Sequence, residues 1–374
     1  MAAQTAAIGT LEADISRRMS GRVPGLSVAV VGQDGVRWVN GFGLADLASR
    51  SPALPDTVYL WFSMTKIVTA TAVLQLWERG LLALDETVAR YYQPFSMLQP
   101  SADAARVTIR QLLNHSSGLA NPVPVRWVHL ADEPASDPHA FLDGLLARHR
   151  KLRFAPGTRA DYSNLGYLVL GEIIASVSGR TYQDYVRENI LKPAGMTQTD
   201  FCHTPAMLSR AATGYQRRWS IMTPLLRTMV PRGVFGRSSG RFVSFNRFYL
   251  NGSAYGGLVG TIEDVARFLH AHLAGGRLNG WTMLSPESVA LMQTIAAYGN
   301  KLDVGLGWFR PGSARHADPQ FVEHLGGGGG FFNVMRVYPQ ASLGVALMGN
   351  ATDYDLNGIA DAIAHVFWTD VRSA

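Results

Sequence analysis

Residues 324–338 read HLGGGGGFFNVMRVY, and the segment after the five glycines decides the fold. A glycine run that cradles phosphate leads into a helix, whose first N–H groups hold the anion. Here the run leads into residues 331–337, an apolar stretch that reads as a strand. The run is therefore a strand end and turn, with glycines that let a ligand approach the backbone closely. On either side, residues 305–310, 321–325 and 342–348 read as neighbouring strands. Their connections are short and rich in Gly or Pro, as an antiparallel meander requires.

The other end of the chain is alike in kind. Residues 26–31 are apolar, Gln33-Asp34-Gly35 is a turn signal, and residues 36–40 complete a β-hairpin. Residues 11–19 and 356–368 read as flanking helices. The middle differs. Ile67, Ala70, Leu74, Trp77 and Leu81 recur at helical spacing, with Gly80 as a stop. Leu165, Leu168, Val169, Ile173 and Val177 form a second stripe before Gly179, and residues 262–273 a third. The expected fold class is α/β (α+β): a helix-flanked antiparallel sheet built from both chain ends, residues 1–62 and 280–374. A mostly helical region, residues 63–279, is inserted between them. The seam between two such regions is a natural pocket.

Composition narrows the function classes. The chain has 374 residues, 47% of them hydrophobic, which excludes disorder. A single cysteine, Cys202, excludes an intrachain disulfide and a Cys-rich zinc cluster. His270 and His272 stand at i and i+2 of an expected helix and do not share a face, so no metal and no cofactor is expected. No apolar run reaches the roughly 18 residues of a membrane span. Residues 1–19 lack an early basic residue and an apolar core and carry Glu12 and Asp14. They do not read as a secretory signal, and the expected location is the cytoplasm. Lys+Arg number 34 and Asp+Glu 28, a formal charge of +6. Between residues 201 and 262 stand eight arginines with no lysine and no acid. No nucleic-acid module accompanies them. They are read as paired or solvated, as a local site for an acidic substrate group, or as a subunit contact. A homo-oligomer is left open.

Three short motifs carry chemistry. Ser63-Met64-Thr65-Lys66 stands before the first helical stripe, where a helix start favours developing negative charge. Lys66, at i+3, can share a face with the Ser63 hydroxyl. A lysine activates such a serine only if burial or a positive neighbour lowers its pKa. Taken alone the motif is weak: 25 serines and 4 lysines give about 0.3 chance matches. Tyr162-Ser163-Asn164 comes after the turn Pro156-Gly157, at the start of the second stripe. The competing reading is that Ser163 or Asn164 only caps that helix, with Tyr162 packed beneath. His324-Leu325-Gly326 is the third, where His324 is either a core histidine or a donor beside the pocket. Gly236-Arg237-Ser238-Ser239-Gly240 matches the G-x-S-x-G pattern, but no strand-to-helix elbow surrounds Ser238, as that chemistry demands.

In order and rough spacing the three motifs resemble the penicillin-recognising serine hydrolases, in particular the class C β-lactamase-like group that includes family VIII carboxylesterases. Residues 112–119 (LLNHSSGL) and 256–261 (GGLVGT) support the resemblance, which spans roughly residues 23–367. It implies a β-lactamase/DD-peptidase-like fold with the active site at the seam. It implies that Ser63 attacks an ester or amide carbonyl to form an acyl-enzyme, and that Lys66 and Tyr162 share the general-base work. Asn164 would hold Lys66 and the acyl side of the substrate. The N–H groups of Ser63 and Gly327, just past Gly326, would form the oxyanion hole. His324 stands where many members carry the lysine of Lys-Thr-Gly, which helps hold a substrate carboxylate. A histidine, mostly neutral at pH 7, argues against efficient β-lactam turnover and for esters of less acidic acids. The expectation is a serine carboxylesterase on small or medium acyl esters. The alternatives are a β-lactamase, a D-amino-acid peptidase or amidase, or an acyltransferase using the same site, and a non-catalytic scaffold.

Overall fold

Residues 25–32 are buried along their whole length, which a strand achieves only when both faces of its sheet are covered. In the computed structural model, which describes residues 2–220, 222–318 and 320–373, this strand lies inside a nine-stranded antiparallel sheet. The strands are β1 (Gly25–Gly32), β2 (Gly35–Asp46), β3 (Ser51–Pro52), β4 (Ala297–Tyr298), β5 (Leu302–Val304), β6 (Phe309–Pro311), β7 (Val322–Gly328), β8 (Phe331–Tyr338) and β9 (Leu343–Gly349). The spatial order is β4-β5-β6-β7-β8-β9-β1-β2-β3. Both chain ends thus build one sheet, closed where β1 pairs β9, with Val28 opposite Leu347 and Val30 opposite Val345.

Alternation sorts the side chains. Val28, Val30, Val345 and Leu347 face two terminal helices, α1 (Ala2–Met19) and α5 (Leu356–Ser373), packing with Leu11, Ile15, Ile359 and Ile363. Ala29, Val31, Ala346 and Met348 face the body of the protein. There α4 (Ile262–Leu273) covers β1 and β9. Ahead of it in the chain run α2 (Thr65–Glu78) and α3 (Asn164–Ser178), packed against each other.

Two local expectations change. Residues 305–310 do not form one strand: β5 and β6 flank a turn in which Gly305 N–H donates to the Trp308 carbonyl at 2.9 Å. Gly307 has φ +83°, and a Cβ there would lie 2.6 Å from Ala70 Cβ, so only glycine lets the turn sit on α2. The helical stripe also overreaches. Helix α2 ends at Glu78, Gly80 takes φ +70°, and Leu81 beyond it is 51% exposed. Helix α2 is not amphipathic either. Residues 65–76 are all buried, and its polar side chains find partners inside, such as Thr71 Oγ1 on the Ile67 carbonyl at 2.9 Å. Among the described residues no helix is long and apolar enough to cross a membrane.

Candidate active site

Ser63 sits in a single 3₁₀ turn, Phe62–Met64, that runs directly into α2. Phe62 takes φ +48°, a conformation that costs a bulky residue energy and that clusters at functional sites. The turn is held from several sides. Trp61 N–H donates to the Leu258 carbonyl at 2.9 Å, and Asn333 Nδ2 donates to the Leu60 carbonyl at 2.8 Å. The glycines of β7 explain themselves here. A Cβ on Gly326 would fall inside the Trp61 carbonyl oxygen, and one on Gly328 inside the Phe62 ring. The expected close approach is real, but it is made by the turn carrying Ser63. Gly326→Ala is therefore expected to push that turn aside and to lower kcat/KM for an ester about a hundredfold, the usual cost of a roughly 1 Å misplacement. Steady-state rates alongside a melting curve check this; a wild-type rate would show that the turn yields without consequence.

Lys66 is fully buried in the first turn of α2. Its Nζ donates to Asn164 Oδ1 at 2.8 Å and to the Tyr255 carbonyl at 2.6 Å, and lies 3.0 Å from Ser63 Oγ. The rings of Tyr162, Tyr255 and Tyr167 stand 4.9, 5.4 and 5.5 Å from it. No carboxylate pairs with it among the ion pairs of the described residues. Burial therefore holds its pKa well below the ordinary lysine value. A neutral amine has two hydrogens and one lone pair. Asn164 Oδ1 and the Tyr255 carbonyl can only accept, so they take the hydrogens and the lone pair faces Ser63.

Ser163 does cap α3, its Oγ accepting from Gly166 N–H at 3.2 Å, so the capping reading of that motif holds for Ser163 alone. Its two neighbours reach the site. Asn164 binds Lys66, and the Tyr162 ring stands over the Lys66 amine beside Ser63. Burial raises the Tyr162 pKa above the usual phenol value, and the neighbouring Ser63 side chain offsets this only in part. The phenol therefore stays protonated at neutral pH. His324 is buried edge-on to Phe309 at 4.8 Å and 6.0 Å from the Tyr162 ring. Its Nδ1 donates to the Leu325 carbonyl at 2.8 Å, and burial pushes its pKa down to about 3. It is a neutral imidazole whose Nε2 is buried without a hydrogen-bond partner among the described residues.

Ser63, Asn164 and Gly327 line one cavity of about 210 Å³. Its walls are largely apolar and, among the described residues, hold no charged side chain: Val128 and Leu250, then Leu226, Val230, Val234 and Phe245 from the long segment after residue 220. Trp127, Trp219 and Phe235 stand outside its lining. Trp127 packs edge-on to Phe141 and Tyr255, Trp219 is 83% exposed, and Phe235 stacks on Phe245 at 4.7 Å. Among the described residues the arginine-rich stretch contributes none of its guanidinium groups to this cavity. Arg210 pairs with Asp56 at 3.2 Å, and Arg237 and Arg247 line a separate cavity of about 490 Å³. Ser238 borders that second cavity, exposed on a strand, Phe235–Ser239, that turns back into another strand, Phe242–Phe245. It occupies no nucleophile elbow. His272 is buried edge-on to Phe268 and Trp308, and His270 contacts the Gln33 carbonyl at 3.1 Å.

Known proteins share this fold. The sequence model of the Beta-lactamase family matches residues 11–366. Protein flp of Staphylococcus aureus (strain COL) is 26% identical over 331 residues, which are 88% of this chain and 60% of that protein. The chain therefore spans about 60% of the length of such curated relatives. Of solved structures, the octameric penicillin-binding protein homologue from Pyrococcus abyssi aligns with a TM-score of 0.75 at 27% identity, over 96% of this chain and 77% of that one. The D-amino acid amidase from Ochrobactrum anthropi SV3 complexed with D-phenylalanine shares the fold, with a TM-score of 0.78 at 24% identity over 99% of this chain and 100% of that one.

Proposed function

The chain belongs to the beta-lactamase family, and we propose that it is a serine hydrolase working through an acyl-enzyme on Ser63, with esters of small or medium uncharged acids as substrates. The observation that carries this reading is the amine of a fully buried Lys66, held 3.0 Å from Ser63 Oγ. In acylation, Ser63 Oγ bonds to the carbonyl carbon while its proton passes to Lys66 Nζ. The carbonyl electrons move onto oxygen, stabilised by the N–H groups of Ser63 and Gly327. Collapse breaks the bond to the leaving alkoxide, which takes a proton from Lys66 through the Tyr162 hydroxyl. Water then attacks the acyl carbon, its proton takes the same route to Ser63 Oγ, and the acid departs. The high pKa of Tyr162 and the low one of Lys66 divide the work. Lys66 is the base and Tyr162 the relay.

The cavity walls support the substrate class. A β-lactam or peptide carboxylate in this cavity would be a desolvated anion without a cation, a costly arrangement. His324 is neutral and Lys66 already has three partners. An alkyl chain meets Val128, Leu226, Val230 and Phe245 instead. With p-nitrophenyl esters of increasing chain length, kcat/KM is expected to rise about fourfold per methylene until the cavity is full, and then fall. A flat series, or faster turnover of penicillin or of D-phenylalanine amide, would move the assignment to the amide-cleaving readings of the same site.

A further inference from the structure

We propose that His115 is the positioning residue for Tyr162: it clamps the Asp161-Tyr162-Ser163 backbone at two points and backs the phenol ring, so that the hydroxyl is aimed at Ser63. This deepens the catalytic reading and rests on Tyr162 having the relay role given above.

Three contacts converge. The Asp161 N–H donates to the His115 carbonyl at 2.9 Å. The Ser163 N–H donates to His115 Nδ1 at 3.1 Å. The imidazole stacks on Tyr162, between those two anchors, with ring centroids 4.4 Å apart and 37° between planes. One residue thus fixes the backbone on both sides of Tyr162 and one face of its ring. Near the same ring stand Lys66 Nζ at 4.9 Å and His324 at 6.0 Å. Neither of these two anchors the backbone of residues 161–163.

The cost of the arrangement is visible. His115 is buried and takes φ +57°, a left-handed conformation uncommon outside glycine, which histidine tolerates better than most side chains. It lies just after the helix Ile109–Leu113, which starts in a capping box formed by Thr108 and Gln111. The Ser116 hydroxyl donates to Asn114 Oδ1 at 2.6 Å, and Gly118 takes φ +78°. This tight bend presents both the carbonyl and Nδ1 of His115 to one strand of chain. With Nδ1 accepting, the ring hydrogen is on Nε2. Burial keeps the imidazole neutral, so the Nδ1 lone pair is available at neutral pH.

The clamp separates into parts by substitution. His115→Asn keeps an acceptor near the Nδ1 position and tolerates positive φ, but removes the ring. His115→Phe keeps the ring and removes the acceptor. Each is to be measured for kcat and KM on a p-nitrophenyl ester, alone and combined with Tyr162→Phe, with a melting curve for every variant. Each single His115 variant is expected to lose roughly tenfold to a hundredfold in kcat with KM little changed. Combined with Tyr162→Phe, neither is expected to cost anything further, because a misaimed phenol and an absent one are equivalent. Losses that multiply in the double variants, or wild-type rates in both single variants, would overturn the clamp. A wild-type rate for Tyr162→Phe by itself would overturn the relay role instead. If one His115 variant fails to fold, the other still carries the cycle.

Discussion

Ser63→Ala is expected to reduce ester hydrolysis by a factor of about 10⁴ or more, leaving only the contribution of binding and the oxyanion hole. The side chain removed is small and half-buried, and its partners Lys66 and Tyr162 keep other contacts. The melting temperature should therefore stay close to wild type, so that the loss reports chemistry and not unfolding. Ser238→Ala serves as the control, because Ser238 lies exposed on a hairpin away from the cavity that Ser63 lines; it should retain full activity. If Ser63→Ala keeps more than a few per cent of the wild-type rate, another nucleophile acts.

Lys66→Met is the second large effect, a loss of about 10³ in kcat, within the usual range for removing a general base. The pH dependence carries the sign. Only the neutral amine can take the Ser63 proton, so activity rises with pH through the pKa of Lys66. Burial, with no carboxylate paired to it among the described residues, holds that pKa well below 10.5. The rate should therefore reach its plateau well before the pH at which an exposed lysine is half-deprotonated. Stability depends on the same group. Between the depressed folded value and the ordinary unfolded one, the unfolded chain binds a proton that the native chain does not. Lys66 therefore costs stability, and that cost shrinks as pH rises through this window. The difference in melting temperature between wild type and Lys66→Met should track it, the wild type gaining on the variant as pH rises. A rising limb that titrates like an exposed lysine, near 10.5, would show that Lys66 is charged at neutral pH.

Much of this site was legible in the chain because the responsible signals are local. The Ser63–Lys66 spacing is one helical turn, and a helix does begin there. The run of glycines before an apolar strand identifies a hairpin, and Gly328 does pair with Phe331. The pairing of β1 with β9 is implicit in two similar ends, since each needs a neighbour to bury its faces. The features that escaped depend on contacts between distant segments. The Tyr255 carbonyl that binds Lys66 has no residue signature, because every backbone unit offers one. His115 stands in the segment LLNHSSGL, but its role depends on meeting Tyr162, 47 residues further along the chain. Much of the cavity wall comes from residues 226–250, where strands are short and no period repeats. In residues 305–310 the apolar run reads as one strand, yet Gly307 places a turn between β5 and β6 there because α2 lies beneath.

One hydroxyl, that of Ser63, is proposed to carry the acyl group, and trapping the adduct puts this to the test. The enzyme is quenched in acid during turnover of a slowly deacylating p-nitrophenyl ester, then subjected to intact-mass and peptide mass analysis. The expected result is a mass gain of one acyl group on the peptide containing Ser63, absent in Ser63→Ala. An acyl group on a different residue, or steady turnover by Ser63→Ala with no adduct anywhere, would refute the mechanism.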